Sequence, residues 1–173
     1  MRCLARITLL ALLGALLVST AIAQNLPQTQ TPAPVCLVAS TPEELPAALD
    51  AAITGSANRD RTCLRQLMAP DVRMMVVMPN GPVTLSLDDW IARQARRGDA
   101  YLGERQIKVQ IERFGKIAHL WSTYEVRTTP DGPPLARGLN SVQAVFDGKV
   151  WKIIQVLWQN EDPGTAIPGK YLP

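Results

Sequence analysis

The part of the chain from residue 105 to residue 159 constrains its fold most, because it contains four long segments with the residue pattern of β-strands. They read RQIKVQIERF, IAHLWSTYEVR, RGLNSVQAVF and KVWKIIQVLWQ, separated by Gly115, the loop PDGPP and Asp147-Gly148. Short connections between consecutive strands favour antiparallel neighbours. Three helix patterns precede these strands, so the sequence predicts an α+β domain with a mostly antiparallel sheet and helices on one face.

Two of the three helix patterns carry clear start signals. The first follows Thr41, with Pro42 at its first position and Glu44 as capping-box partner, and the third follows Ser86, with Asp89 in the same role. The second lies in RDRTCLRQLMAPD. Apolar residues recur at helical spacing in the first pattern and predict one buried face, formed by Leu45, Leu49 and Ile53.

The N-terminus has the pattern of a secretory signal peptide. Arg2 and Arg6 precede the apolar run ITLLALLGALLV, and small residues follow up to Ala23, where we expect cleavage. The alternative is an uncleaved membrane anchor, but the run is shorter than the roughly 20 residues that a membrane span needs. The predicted protein is exported, to the periplasm or the medium, and has four parts: signal peptide 1–23, disordered leader 24–40, folded domain 41–160 and Pro-rich tail 161–173.

Export affects how the cysteines and the charges are interpreted. Cys3 is lost with the signal peptide, which leaves Cys36 and Cys63. An even pair in an oxidising compartment predicts one disulfide between them, with two free thiols as the alternative. The signal peptide carries Arg2 and Arg6 and no acidic residue, so its removal lowers the formal net charge from +3 to +1. This balance predicts no nucleic-acid partner, and we expect no membrane partner once the signal is cleaved.

The lengths of the turns predict a polar row across the sheet. A two-residue turn at Asp147-Gly148 places Asn140 opposite Gln155, and a PDGPP loop that sets Tyr124 opposite Asn140 completes the row, with Ser122 beside it. Such groups cost about 1–3 kcal/mol each when buried without partners, so they either bond one another or bind a polar ligand. Together with a tryptophan of the third helix they form the predicted ligand-binding set: Tyr124, Asn140, Gln155, Ser122 and Trp90.

Successive side chains of a strand point to opposite faces, so the predicted register also assigns each residue to the inner or the outer face of the sheet. A tight turn at Gly115-Lys116 pairs Ile107 with Tyr124, and the last strand sends Trp151 and Trp158 to opposite faces. The outer face then carries more apolar surface than a protein usually leaves exposed to water. We expect it to form the interface of a homodimer through Trp121, Val145, Ile154, Val156 and Trp158.

This arrangement resembles the nuclear transport factor 2-like, or SnoaL-like, superfamily over residues 41 to 160. The motif DG-x-x-W-x-I in DGKVWKI, the strand IAHLWSTYEVR and the helix ending MAPDV carry the resemblance. It implies a cone, in which a strongly curved sheet wraps the N-terminal helices, with a pocket at the open end and dimers through the outer face. It also implies that an enzyme of this kind would use an Asp, His or Tyr inside the cone.

The sequence departs from that catalytic pattern, because the predicted inward polar residues include no carboxylate. Asp71, Asp99 and Glu104 could reach the pocket mouth from loops, but we expect them in solvent, and the single histidine, His119, on the outer face. No catalytic residue, cofactor or metal site is therefore predicted.

Three functions stay open. The preferred one is an exported protein that binds a small, largely apolar molecule in the pocket. The others are a proton-transfer isomerase or dehydratase of the same fold, and a dimeric structural or interaction protein whose cone its own side chains fill.

Overall fold

The computed structural model of the chain describes residues 34–173. The predicted signal peptide and the first part of the predicted leader, up to residue 33, lie outside the described residues. The helices are α1 (Leu45–Ile53, after a 3₁₀ turn at Pro42–Glu44), α2 (Thr62–Leu67) and α3 (Leu87–Ala95). The strands are β1 (Gly55–Ser56), β2 (Met68–Met78), β3 (Gly81–Leu85), β4 (Tyr101–Phe114), β5 (Ile117–Arg127), β6 (Ala136–Phe146) and β7 (Trp151–Asn160).

The strands form one curved sheet in the order β1-β4-β5-β6-β7-β2-β3. All neighbours are antiparallel except β2 and β7, which run parallel. The predicted fold class, α+β with a mostly antiparallel sheet and N-terminal helices, is thereby confirmed. No helix within residues 34–173 is long and apolar enough to cross a membrane.

The helices pack on the inner face of the sheet. α1 buries Leu45, Leu49 and Ile53, as its spacing predicted, and Trp151 and Ile153 of β7 are buried from the sheet side. Full burial of an aliphatic side chain of this size contributes about 1.5–3 kcal/mol. The same core also contains these buried residues: Ala48, Ala52, Leu64, Leu67, Met68, Leu102, Ala118, Leu120, Val142, Ala144 and Val156.

The predicted pairing of β6 with β7 is wrong by two residues beside the turn, because their connection is a four-residue loop, and by three residues at Asn140, which lies opposite Trp158. The Asp147 carboxylate accepts hydrogen bonds from the backbone N–H groups of Lys149 (2.8 Å) and Val150 (2.9 Å), which closes the loop two residues later than a tight turn would. Phe146 therefore pairs with Trp151. Asp-Gly is typical of a two-residue hairpin turn, but here the Asp147 side chain bonds the backbone of the residues that follow and so stabilises a longer loop.

Two β-bulges change which side chains face inward. Ile107 is an extra residue in β4, and Ile154 is an extra residue in β7. Because successive side chains of a strand alternate, each bulge moves the residues beyond it to the opposite face. Gln106 therefore points to the inner side, and Trp158 packs against the same core as Trp151. The prediction that the two tryptophans leave by opposite faces is wrong for this reason.

The outer face consequently differs from the predicted one. Trp121, Val145 and Ile154 line grooves on the outside of the sheet. Val156 and Trp158, which were predicted beside them, face the inner core. The bulge at Ile154 lies between the two groups and accounts for the change.

The segment before α1 is attached to the domain. Cys36 forms a disulfide with Cys63 of α2, so the predicted pairing is confirmed. Ala39 is buried, and its carbonyl accepts a hydrogen bond of 2.8 Å from the backbone N–H of Trp151. Residues 36 and 39 thus contact the domain although they precede the predicted boundary at residue 41.

Residues 161–173, which we call the C-terminal strap, cross the outer face of the sheet. Thr123 donates a hydrogen bond of 2.6 Å to the carbonyl of Tyr171, and Lys108 donates one of 2.5 Å to that of Leu172. The Tyr171 ring lies 5.9 Å from the Trp121 ring, centroid to centroid. Part of the outer face is therefore covered by the chain itself.

Candidate functional site: a cavity between the helices and the sheet

The inner face of the sheet and the helices surround a partly open cavity of about 200 Å³. Its wall is mainly apolar and is formed by Leu49, Ile53, Leu64, Met68, Met74, Trp90, Leu102, Val126, Val156 and Trp158. Six polar residues complete it: Gln94, Arg97, Glu104, Tyr124, Asn140 and Asn160. An apolar wall with a few polar groups is typical of small-molecule sites.

A carboxylate, Glu104, belongs to this wall. It lies on β4 two residues before Gln106, and the bulge at Ile107 turns both residues inward. The Gln106 amide donates a hydrogen bond of 3.1 Å to Glu104. Its amide oxygen accepts from Ser122 (2.5 Å) and Asn140 (3.4 Å). These two donors fix the orientation of the Gln106 amide, so its NH₂ group is directed to Glu104.

Burial raises the pKa of Glu104 to about 7, and the nearby charge of Asp50 acts in the same direction. The hydrogen bond from Gln106 opposes this shift but does not cancel it. A carboxyl group with this pKa is present in both protonation states near neutral pH. It can therefore both accept and return a proton, which an ordinary glutamate seldom does.

Tyr124 and Asn160 extend the polar part of the wall across the sheet. The Tyr124 hydroxyl donates a hydrogen bond of 2.5 Å to the Asn160 side-chain oxygen. Burial, and secondarily the charge of Glu104, raises the pKa of Tyr124, so the phenol keeps its proton. Gly138 on the intervening strand makes this contact possible, since a Cβ there would clash with the Tyr124 hydroxyl oxygen.

Side chains of α1 and of Thr54, the residue after it, hold β4 in place beside the cavity. Beyond Leu102, β4 has no neighbouring strand on this edge, because its partner β1 is only two residues long. Thr54 accepts a hydrogen bond of 3.1 Å from the Glu104 N–H, and Asp50 accepts one of 3.0 Å from the Gln106 N–H. Burial raises the pKa of Asp50 to about 6. Asp50 and Glu104 both line a second cleft, between α1 and this edge of the sheet.

The helix α3 and the turn after it supply the remaining polar residues. Trp90, Gln94 and Arg97 follow one another at spacings of four and three residues, so they lie on one side. All three line the cavity. Ser86 caps α3 and accepts a hydrogen bond of 3.0 Å from the Asp89 N–H, as the sequence predicted.

The structure brings three of the five predicted ligand-binding residues to the cavity, namely Tyr124, Asn140 and Trp90. Ser122 lies behind the wall and bonds Gln106. Gln155 does not join them, because it pairs with Gln143 and not with Asn140. The predicted row is also wrong at Tyr124, which lies opposite Gly138, while Ser122 is the residue opposite Asn140.

The other predicted ionisable residues lie away from the cavity, with one exception. Asp71 and Asp99 are exposed, and Asp99 accepts a hydrogen bond of 2.9 Å from Asn58. His119 lies on the outer face, where it bonds Ser141 at 3.0 Å. Glu104 is the exception, because it was expected in solvent on a loop and instead lies within β4 and lines the cavity. Within residues 34–173, no group of three or more His, Cys, Asp or Glu could hold a metal ion.

Sequence reasoning missed Glu104, Gln106 and Asn160 as cavity residues. Glu104 was expected on a loop because the predicted strand began only at Arg105, and regular alternation from Ile107 places Gln106 on the outside. The strand in fact begins at Tyr101, and the bulge at Ile107 turns both residues inward. One signal was present: three polar residues, Glu104, Arg105 and Gln106, interrupt the alternating pattern just before it becomes regular. A break of this kind is compatible with a bulge.

Comparisons with solved structures identify the fold. A protein with a cystatin-like fold from Nostoc punctiforme, of unknown function, has a TM-score of 0.54 at 14% identity and covers 72% of this chain and 96% of its own. An NTF2-like protein of unknown function from Shewanella baltica has a TM-score of 0.50 at 10% identity, over 69% of this chain and 90% of its own. A structure from Parabacteroides distasonis, described as a candidate ketosteroid isomerase, has a TM-score of 0.51 at 15% identity, over 72% and 90%.

The chain therefore has the nuclear transport factor 2-like fold, as the sequence resemblance predicted. No family model matches the sequence, and no curated protein matches it either. At identities of 10 to 15% the structural likeness establishes the fold and no activity.

Proposed function

We propose that the cavity binds a small, mainly apolar carbonyl compound and that Glu104 transfers a proton to and from it. The observation that carries this proposal is a carboxyl group on the cavity wall whose pKa is about 7. A general base works best when its pKa lies near the working pH. The proposal is thus the proton-transfer alternative among the functions that the sequence left open.

The neighbouring groups suit proton abstraction next to a carbonyl group. Such a step leaves negative charge on the carbonyl oxygen, and hydrogen-bond donors stabilise that charge. Asn140 and Asn160 both line the cavity and carry NH₂ groups. The Asn160 oxygen accepts from Tyr124, so its NH₂ group is available to a ligand. Glu104 would take the proton from carbon and return it to another position of the same molecule.

The size and polarity of the cavity support binding on their own. A volume of about 200 Å³ is below that of sites for drug-sized ligands, which begin at roughly 300 Å³, so the ligand is small. The cavity also argues against the structural alternative, in which the protein's own side chains fill the cone. Binding without catalysis is the more general form of the proposal.

Exchange of carbon-bound hydrogen tests the catalytic part. Cyclohexanone in D₂O, followed by NMR, reports loss of the hydrogens next to its carbonyl group. We expect the protein to accelerate this exchange, and Glu104→Gln to reduce the acceleration at least about a hundredfold. Glu112→Gln is the matched control, because Glu112 lies on the same strand but is exposed and outside the cavity.

Two results would contradict parts of the proposal. Equal exchange with wild type and Glu104→Gln would remove Glu104 from the chemistry. Binding of cyclohexanone without any exchange would leave a binding protein and no enzyme. The rate should also rise with pH through about 7, since only ionised Glu104 accepts a proton.

We propose further that the protein is exported and forms a homodimer. The disulfide between Cys36 and Cys63 supports export, since such bonds persist in oxidising compartments. Apolar side chains on the uncovered part of the outer face support association: Phe114 is 83% exposed and Ile117 58%. N-terminal sequencing of protein from the culture would test the first proposal, with a start at residue 24 expected.

A further inference from the structure

The polar residues of the cavity differ in character according to the element that carries them. The sheet contributes Glu104, an acid, with the amides and hydroxyl around it. The α3 side contributes Gln94 and Arg97 and no acidic residue. A ligand that fills the cavity therefore meets an acid from the sheet and a cation from the helix side.

Gln94 and Arg97 together offer only hydrogen-bond donors to a ligand. Arg97 donates a hydrogen bond of 3.0 Å to the Gln94 side-chain oxygen. This bond uses the acceptor of Gln94 and leaves its NH₂ group free, while a guanidinium group has no acceptor at all. No carboxylate of residues 34–173 forms an ion pair with Arg97. Gln94 and Arg97 can accordingly bind an anion, and they have no free acceptor for a ligand that donates hydrogen bonds.

A second cation lies behind the same part of the wall. Arg61 is buried, with 3% of its surface exposed, and its guanidinium group lies 5.7 Å from the centroid of the Trp90 ring. It donates to backbone carbonyls, among them those of Ala52 (3.1 Å) and Ala57 (3.2 Å), and pairs with no acid of residues 34–173. Water screens a buried charge poorly, so Arg61 adds positive potential to the Trp90 side of the cavity.

We infer that the ligand of the cavity carries an anionic head group, such as a carboxylate, on its apolar body, and that Arg97 and Gln94 bind that group. The inference rests on the proposed function, because it names the class of molecule that the cavity takes. The apolar body would lie against the aliphatic wall, and the reacting carbon would face Glu104. Arg97 is a specificity-determining residue in this arrangement, whereas Glu104 is the catalytic one.

A pair of probes of equal shape tests the inference. Hexanoate carries the negative charge, and hexanamide is its neutral counterpart. Binding at pH 6 is followed through the indole N–H signals of ¹⁵N-labelled protein. Trp90 lines the cavity alone, Trp158 lines both the cavity and the outer groove, and Trp121 lines the outer groove alone, so a ligand in the cavity moves the signals of Trp90 and Trp158 and not that of Trp121. We expect hexanoate to move the Trp90 and Trp158 signals and to bind at least about tenfold more tightly than hexanamide, or about 1.4 kcal/mol.

Two arginine variants distinguish recognition of the head group by Arg97 from a general effect of the protein's positive charge. Arg97→Gln should remove most of the preference for hexanoate, since it removes the cation that contacts the head group and leaves only the more distant charge of Arg61. Arg96→Gln removes an equal charge from the adjacent exposed position, which does not line the cavity, and should keep the preference. Added salt should weaken the binding of hexanoate and leave that of hexanamide unchanged.

The possible failures are distinguishable. If hexanamide binds as well as hexanoate, or if Arg97→Gln retains the preference, the anionic head group is wrong and the cavity remains a site for neutral molecules. If neither probe moves the Trp90 and Trp158 signals, the proposed small-molecule site fails, and the inference fails with it.

Discussion

At the scale of single residues, Glu104 shows how the surroundings set the chemistry of a side chain. Its carboxyl group accepts one hydrogen bond from Gln106 and lies near the charge of Asp50. Burial outweighs the hydrogen bond and raises the pKa of Glu104 to about 7, and the pKa of Asp50 to about 6. Both carboxyl groups hold a proton more tightly in the folded protein than in the unfolded chain.

This pair should make stability depend on pH in an unusual direction. A raised pKa means that the folded state binds more protons, so these groups favour the folded state at low pH. Their contribution is lost as pH rises from 3.8 to about 6 for Asp50 and from 4.5 to about 7 for Glu104. Each unit of raised pKa corresponds to at most about 1.4 kcal/mol.

The comparison of wild type with Glu104→Gln isolates the part due to Glu104. Urea unfolding at pH 4.5 and at pH 7.5 gives the free energy of unfolding for both proteins. We expect the wild type to lose more free energy of unfolding over this range than the variant does. An equal loss in both would mean that Glu104 titrates with an ordinary pKa.

At the scale of elements, the existence of the four long strands β4 to β7 was predicted well from the sequence and their register was not. Apolar alternation and turn residues mark where β5 to β7 begin and end and where β4 ends, because burial of one face dictates these bounds. The start of β4 was missed, since the strand begins at Tyr101 and the predicted segment began at Arg105. Each of the two bulges depends on one extra residue, and the four-residue loop after Phe146 depends on two. A single sequence carries no strong signal for such a residue, since its effect appears only when two strands pair.

The error in register explains why the candidate site was predicted only in part. Tyr124, Asn140 and Trp90 lie on stretches without a shift, so alternation or helical spacing assigned them correctly to the inside. Glu104 lies beyond a bulge and was assigned to solvent. The acid was thus missed because of geometry and not because its residue type was overlooked.

Gly138 offers a sharp test of strand packing in β6. A Cβ at this position would lie 2.5 Å from the Gln159 carbonyl oxygen and closer still to the Tyr124 hydroxyl oxygen. The backbone carbonyl cannot move aside without disturbing the sheet, so Gly138→Ala should lower the free energy of unfolding by about 3 kcal/mol. It should also weaken ligand binding, because it displaces Tyr124.

The matched control for this variant is Gly169→Ala. Gly169 lies in the strap, where an added Cβ would have no atom within 4 Å, and its φ is not positive. Its substitution should change stability by less than about 0.5 kcal/mol. Denaturant unfolding of the two variants measures the contrast, and a tolerant Gly138→Ala would mean that Tyr124 can leave its bond to Asn160 at little cost.

At the scale of the whole molecule, two segments outside the regular elements bind the domain together. The disulfide joins Cys36, before α1, to Cys63 in α2, with 27 residues of separation. The strap at the other end of the chain crosses the outer face and bonds β4 and β5. Both ends of the described chain are therefore anchored to the domain.

Removal of the disulfide should destabilise the protein measurably. In the loop-entropy description, a closed loop of this length contributes about 3–4 kcal/mol, because it restricts the unfolded chain. The variant with Cys36→Ser and Cys63→Ser should lose about this much free energy of unfolding. Wild type unfolded under reducing conditions should match the variant, and a variant as stable as oxidised wild type would show that the bond does not form in solution.

The proposed dimer can be tested on the part of the outer face that the strap leaves uncovered. Val145→Glu and Ile154→Glu place charges in the groove near Phe114 and Ile117. Together they should convert a dimer to a monomer in sedimentation. Val156→Glu would be uninformative here, because that residue belongs to the inner core. A monomeric wild type would contradict the proposal outright.

The bulge at Ile107 also has an evolutionary consequence, which concerns the length of β4. Gln106 and Lys108 already pair with adjacent residues of β5, Tyr124 and Thr123. A relative that lacks the equivalent of Ile107 could pair its strands without interruption and still direct its glutamate into the cavity. Loss or gain of one residue is therefore tolerable at this position. When distant relatives are aligned, a one-residue gap should be allowed there before Glu104 is compared with the residue that occupies its place in each relative.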